Sequence, residues 1–216
     1  MKITIREPAS AITHYIGMML SLAAAAPLLV KAQSSKIPSA ITAMGIFILA
    51  MILLYAASSA YHALNVKEKA LKVFRKIDHM MIFVLIAGTY TPVCMLVLGG
   101  RTGMALLAAV WGIALAGICL KAFWINCPKW FSSVIYIAMG WVCALVFPLL
   151  LEKLSLSAFA WLLAGGILYT VGGVVYALKL KGFNGIHKYF GSHEIFHLFV
   201  MAGSFCHFIV MYCYIV

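Results

Sequence analysis

Apolar residues in this chain come in long, almost unbroken runs, without the alternation or narrow stripes of half-buried elements. Seven runs stand out, at about 10–30, 40–61, 77–98, 103–123, 131–151, 157–178 and 194–215. Crossing the hydrocarbon of a bilayer takes roughly 20 mostly apolar residues in a helix, and a helix apolar on every side has no face for water. The pattern therefore predicts an all-α chain, a seven-transmembrane-helix bundle with short connections. It forms one domain over residues 1–216, with no room for a second. The polar start Lys2-Ile3-Thr4-Ile5-Arg6-Glu7-Pro8 precedes a run long enough to span, so no cleavable signal peptide is expected.

Composition agrees. The chain is 65% apolar and 10% charged, against about 45–50% and about 25% in soluble domains. The net charge of +11 raises nucleic acid as a partner, but no motif accompanies it and the distribution gives another reason. Lys2, Arg6, Lys67, Lys69, Lys72, Arg75, Lys76, Lys121, Lys129, Lys179, Lys181 and Lys188 fall on one side of a seven-span topology. Only Lys31, Lys36, Arg101 and Lys153 fall on the other. The positive-inside rule then puts the N-terminus in the cytoplasm and the C-terminus outside. Membrane lipids, not nucleic acid, are the expected partners. The six cysteines are scattered without a C-x-x-C pair and read as small core residues.

Interruptions of the apolar pattern carry the candidate chemistry. Pro92 in Ala87-Gly88-Thr89-Tyr90-Thr91-Pro92 predicts a kink, with Thr89 and Thr91 placed to satisfy freed carbonyls. Pro148 predicts a bend in the fifth helix. Gly112, Ala116, Gly117, Gly165, Gly166, Gly172 and Gly173 predict close backbone approach in the fourth and sixth. Lys121 and Trp124 suit a headgroup-level interface. Glu7 and His14, seven apart, share a side of the first helix. The plain reading makes Glu7 a first-turn carboxylate favoured by the helix dipole and His14 an interhelical hydrogen-bond partner.

His193 and His197 are four apart, so on a helix both imidazoles leave one face. Ser58 and His62 repeat that spacing at the end of the second helix, and Asp78 opens the third. The predicted topology brings all five to one depth near the cytoplasmic face. Ionisable groups inside a membrane are costly and usually functional. Three histidines with an open fourth position are the ligand set of a catalytic zinc ion. Asp78 would then hold or deprotonate a water and Ser58 orient it. Two plainer readings stay open: interfacial histidines without metal, and an Asp78 paired with Arg75 or Lys76. Calcium or magnesium is disfavoured, since the chain offers too few carboxylates. His79, His187 and His207 are read as structural. His207 lies about 15 Å or more from His197 along one helix, too far to share an ion.

Taken together, these residues resemble the hemolysin III branch of the progestin and adipoQ receptor family. Ser58-x-x-x-His62, Asp78, the 87–92 segment and His193-x-x-x-His197 carry the resemblance. Glu7 with Ala11-Ile12-Thr13-His14-Tyr15-Ile16-Gly17, Ala138-Met139-Gly140-Trp141 and Gly203-Ser204-Phe205-Cys206-His207-Phe208 extend it over the whole chain. The resemblance implies a seven-helix protein of the bacterial cell membrane with zinc on His62, His193 and His197. It implies a zinc-bound water held by Asp78, with Ser58 beside it. Adiponectin receptors and the related alkaline ceramidases are associated with ceramide hydrolysis, whereas bacterial members are named for haemolysis and tied to membrane-fluidity homeostasis. The chain lacks the long N-terminal segment of the animal receptors, so no hormone-receptor role is expected. Three functions follow as expectations: a zinc-dependent lipid amide or ester hydrolase, a pore-forming haemolysin, and a non-enzymatic membrane sensor braced by zinc.

Overall fold

The computed structural model describes residues 5–178 and 190–216. Lys2, Lys179, Lys181, His187 and Lys188 lie outside them. Among the described residues, eight α-helices build seven spans: α1 Pro8–Ser34, α2 Ala40–Ala63, α3 Glu68–Pro92, α4 Gly100–Phe123, α5 Lys129–Gly140, α6 Phe147–Lys153, α7 Leu156–Leu178 and α8 Ser192–Ile209. All seven spans are long and apolar enough to cross a bilayer, as the pattern predicted. The third continues through a π-helical stretch, Val93–Leu98, and the seventh through another, Val210–Ile215. The fifth combines α5, a 3-10 segment Trp141–Val146 and α6.

The helices α1, α2, α3, α5, α7 and α8 close a ring, each packed on the next and α8 returning to α1. Within the ring lies a cavity to which α4 contributes no side chain; α4 packs against α3, with the Phe83 ring filling the space beside Gly117. Arg6, Lys67, Lys72, Arg75, Lys76, Lys121 and Lys129 share one end of the bundle, where α2 finishes and α3 and α8 begin.

Several local expectations change. The basic connection after Asn65 is mostly helix: α3 starts at Glu68, nine residues before the apolar run, and Glu68 pairs with Lys72 at 2.8 Å across one turn. Pro92 breaks the α-helical register, and the chain moves into π-helical hydrogen bonding directly after it. Thr89 and Thr91 donate to the carbonyls of Leu85 and Ala87, four residues back, not to the carbonyl of Gly88 that Pro92 frees. The fifth span leaves α-helical hydrogen bonding at Trp141–Val146, ahead of Pro148, which sits in the first turn of α6 where proline is tolerated. Tyr90 bridges that break: its hydroxyl meets the carbonyls of Met139 (3.2 Å) and Gly140 (2.7 Å) and accepts from the Cys143 amide (2.8 Å).

The close helix approach falls at Gly88, where a Cβ would stand 2.5 Å from that of Ala50 on α2. Gly117, Gly165 and Gly172 instead make room for neighbouring side chains, Phe83, His207 and Phe199, while Gly112 and Gly166 face open space. All six cysteines are free; Cys119 and Cys213 are exposed, not core. Lys121 does not reach an interface either: it is 1% exposed and bonded to Cys127 and Ser132.

Candidate functional site

The polar end of the cavity is built by helix ends that the sequence separates widely. His62 closes α2, and His193 and His197 open α8. The helical repeat puts the latter two on one face, with ring centroids 4.5 Å apart. The His62 ring lies 4.9 Å from that of His193 and 5.1 Å from that of His197. One ring nitrogen from each of the three falls within 4.8 Å of the others, so the group could hold a metal ion. The Nε2 atoms of His62 and His193 are 3.1 Å apart. Interfacial histidines would point outward to water; His62 and His197 are each 1% exposed.

The α1 helix aims two of these rings. His62 Nδ1–H donates to the Glu7 carboxylate, which leaves the Nε2 lone pair facing the other imidazoles. That hydrogen bond from His62 holds the Glu7 carboxyl below the usual carboxylate range. The Thr13 hydroxyl donates to the Ser10 carbonyl at 2.9 Å, so it accepts from His197 Nδ1–H at 3.1 Å. His197 Nε2 is thereby left as a lone pair too. Orientation of a ligand imidazole through its second nitrogen is the usual support of a metal site. The start of α1 is pinned to the end of α2: the Glu7 amide donates to the His62 carbonyl at 3.0 Å, and Arg6 reaches the Tyr61 carbonyl at 2.8 Å. Ser10 donates to Glu194, which also accepts from the Gly191 amide at 2.8 Å. This joins α1 to the first turn of α8.

Glu7 is therefore not a dipole-stabilised cap; it sits at the N-cap without a capping bond and serves His62. His14 hydrogen-bonds to no neighbouring helix among the described residues. Its ring stacks on that of His197, 3.5 Å between centroids and 8° from parallel, with both nitrogens buried and unpartnered. Ser10, Thr13 and Glu194 escaped the sequence reading. For Ser10 and Thr13 the signal was the spacing of 7, 10, 13 and 14 on one face of a helix; Glu194 carried no such signal.

Asp78 is 7% exposed and faces the cavity, with the Ser58 hydroxyl in hydrogen-bonding reach and His79 Nδ1 3.3 Å from Oδ2. The alternative pairing with basic neighbours does not form: Lys76 donates to the Ala122 carbonyl at 2.5 Å and Arg75 to Asn126 at 3.4 Å. Ser58, Asp78, His193 and His197 line the cavity, and His62 stands behind its wall. His207 lines the opposite end, its Nε2 on the Leu162 carbonyl at 3.2 Å.

Between the two ends the lining is mostly apolar, including Ile82, Leu85, Ile86, Phe147, Leu163 and Val200. From His193 to His207 the cavity follows α8 for roughly 20 Å at 1.5 Å per residue. About 140 Å³ of it is open to the centres of water-sized molecules, where one water requires roughly 10–15 Å³. That is room for on the order of ten waters.

The sequence profile of the Haemolysin-III related family matches residues 3–208. The chain is 39% identical to the protein named Hemolysin-3 of Bacillus cereus over 92% of its length and 86% of that protein's. It is 39% identical to the Hemolysin-3 homolog of Bacillus subtilis (strain 168) over 97% of its length and 96% of the homolog's. A shorter stretch, 26% of this chain and 14% of its counterpart, is 37% identical to the Adiponectin receptor protein of Drosophila melanogaster. With seven spans and matches of this extent, the chain belongs to the haemolysin-III-related family of multi-pass integral membrane proteins.

Proposed function

We propose that this protein is a zinc-dependent hydrolase acting on a lipid amide or ester bond, its site at the cytoplasmic end of the bundle. The observation that carries this reading is the three-imidazole group at the polar end of a mostly apolar cavity. Zinc suits the donor set: it favours imidazole nitrogen at about 2.0–2.1 Å, which spaces two ligand nitrogens roughly 3.3–3.4 Å apart in a tetrahedral centre. The 3.1 Å between His62 and His193 is close to that spacing. His62, His193 and His197 would hold the ion. When bound, zinc supplies Lewis acidity that polarises a carbonyl and makes water a better nucleophile near neutral pH.

The chain's own groups do the rest. The apolar wall takes the acyl chain and excludes bulk water. Asp78 accepts the proton of the attacking water at a carboxylate oxygen and returns it to the leaving nitrogen or oxygen as the acyl C–N or C–O bond breaks. Ser58 fixes that carboxylate and its hydroxyl also orients the water, while His79 Nδ1–H is committed to the Arg75 carbonyl at 2.9 Å. Purified protein given amide- and ester-linked lipids should release fatty acid. Asp78→Asn should abolish release while bound zinc, measured by elemental analysis, stays unchanged. Undiminished turnover in that variant would overturn the mechanism.

The name of the Bacillus cereus relative favours a second reading, membrane lysis. A conducting pore requires a continuous polar path, and Leu85, Ile86, Leu163 and Val200 interrupt one. Dye release from liposomes tests it directly: rapid leakage at low protein load would replace the hydrolase reading. A sensor only braced by zinc would leave Asp78→Asn cells with normal membrane fluidity.

A further inference from the structure

A second group of reactive side chains lies where α4 ends and α5 begins, apart from the imidazole group. Lys121 Nζ is 3.0 Å from Cys127 Sγ and 2.5 Å from Ser132 Oγ, and Cys127 Sγ is 3.1 Å from Ser132 Oγ. The triangle lies just beneath the surface, with the thiol its most accessible member: Lys121 is 1% exposed, Ser132 4% and Cys127 6%. A buried ammonium is costly unless an anion faces it. No carboxylate is paired with Lys121 among the described residues; the acidic proton within reach is that of the Cys127 thiol. Nearby polar groups are otherwise engaged, Arg75 with Asn126 and Lys76 with the Ala122 carbonyl. The Tyr136 ring stands 5.8 Å from Nζ. Burial pushes the Cys127 thiol up, and the hydrogen bonds from Lys121 and Ser132 more than offset it, leaving the thiol below its ordinary value. Thiolates beside lysine are the reactive ones.

We infer that Lys121 and Cys127 form a peroxide-reactive pair that closes into a covalent sulfenamide bridge. The Cys127 thiolate attacks one oxygen of hydrogen peroxide. The S–O bond forms, the O–O bond breaks, and the departing hydroxide takes a proton from the Lys121 ammonium to become water. Sulfur is oxidised to sulfenic acid and the peroxide is reduced. The freed amine, already in contact, attacks the sulfenic sulfur; the N–S bond forms and the S–O bond breaks with loss of a second water. Thiolate, ammonium and peroxide thus give the bridge and two waters, so the protein ends lighter by two hydrogens. Ser132, donating to the sulfur, keeps it pointed at Nζ. The bridge would staple the loop to the end of α4 just ahead of the span that carries Ser133, Tyr136 and Ile137 to the cavity wall.

The test uses the full chain in detergent, treated with hydrogen peroxide and mapped by tandem mass spectrometry. The expected result is a peptide joining residues 121 and 127, lighter by two hydrogens and cleaved by thiol reductant. Lys121→Arg keeps the cation but should leave sulfenic or sulfinic acid at Cys127 with no bridge. Lys121→Met should slow oxidation of Cys127 about ten-fold, toward an ordinary thiol. Thermal melting of each variant identifies loss of fold, and Lys121→Arg serves if Lys121→Met unfolds. A wild-type chain oxidised at Cys127 without the joined peptide, or as slowly as Lys121→Met, overturns the inference.

Discussion

A metal site in a membrane depends on which nitrogen each imidazole presents, and single side chains decide that here. Glu7 takes the Nδ1 proton of His62 and Thr13 that of His197. Removing such a partner leaves the ligand in place but free to turn, a change that typically costs 10–100-fold in metal affinity. Glu7→Gln and Thr13→Val should therefore lose zinc to a chelator at concentrations roughly 10–100-fold lower than the wild type tolerates. Elemental analysis after dialysis measures it, and Ser34→Ala, on the opposite end of α1, should match the wild type. His193 and His197 were legible in the sequence because helical spacing alone puts them on one face. His62 needed the topology as well, since 131 residues separate it from His193. Glu7, Ser10 and Thr13 were not legible as supports. A polar residue at a helix foot looks the same whether it faces headgroups or another helix.

Among the elements, α2 and α3 show how the polar end is held at depth. Gly88 lets α3 ride directly on α2, which sets Asp78 near Ser58 two and a half turns further along. Gly88→Ala would drive its Cβ against that of Ala50, a contact between two helix cores with no flexible atom to yield. A cost of about 1–3 kcal/mol is expected for such overpacking, read as a lowered melting temperature in detergent. Gly112→Ala, which meets open space, should melt as the wild type does. Sequence gave no means of ranking these two glycines: small residues in apolar runs look alike until the partner helix is known. The same holds for Lys121. A lysine at the end of a span usually extends to the headgroups, and its actual partners, Cys127 and Ser132, arrive only after the chain has turned.

At the scale of the whole molecule, the ring of six helices leaves a cavity with a polar group at either end. On α7 the lining residues recur every three or four positions, through Leu162, Leu163, Gly166, Tyr169, Thr170, Gly173 and Tyr176, so one face of that helix forms a wall. Gly166 lies about 15 Å along the axis from Tyr176 at the polar end. It borders the cavity, and a Cβ built there meets nothing within 4 Å. Gly166→Leu should therefore fill the cavity partway down without straining the helix, and helix propensity favours leucine over glycine. The polar end is untouched, so zinc content should stay at the wild-type level. If the cavity holds the acyl chain of the substrate, the variant should keep turnover of short-chain lipids and lose long-chain ones. The loss should appear as a raised KM, since the bond to be broken still reaches Asp78. Comparing fatty-acid release across an acyl-length series gives the answer. An equal fall at every length would mean that the substrate lies elsewhere, and that the cavity serves water or nothing at all.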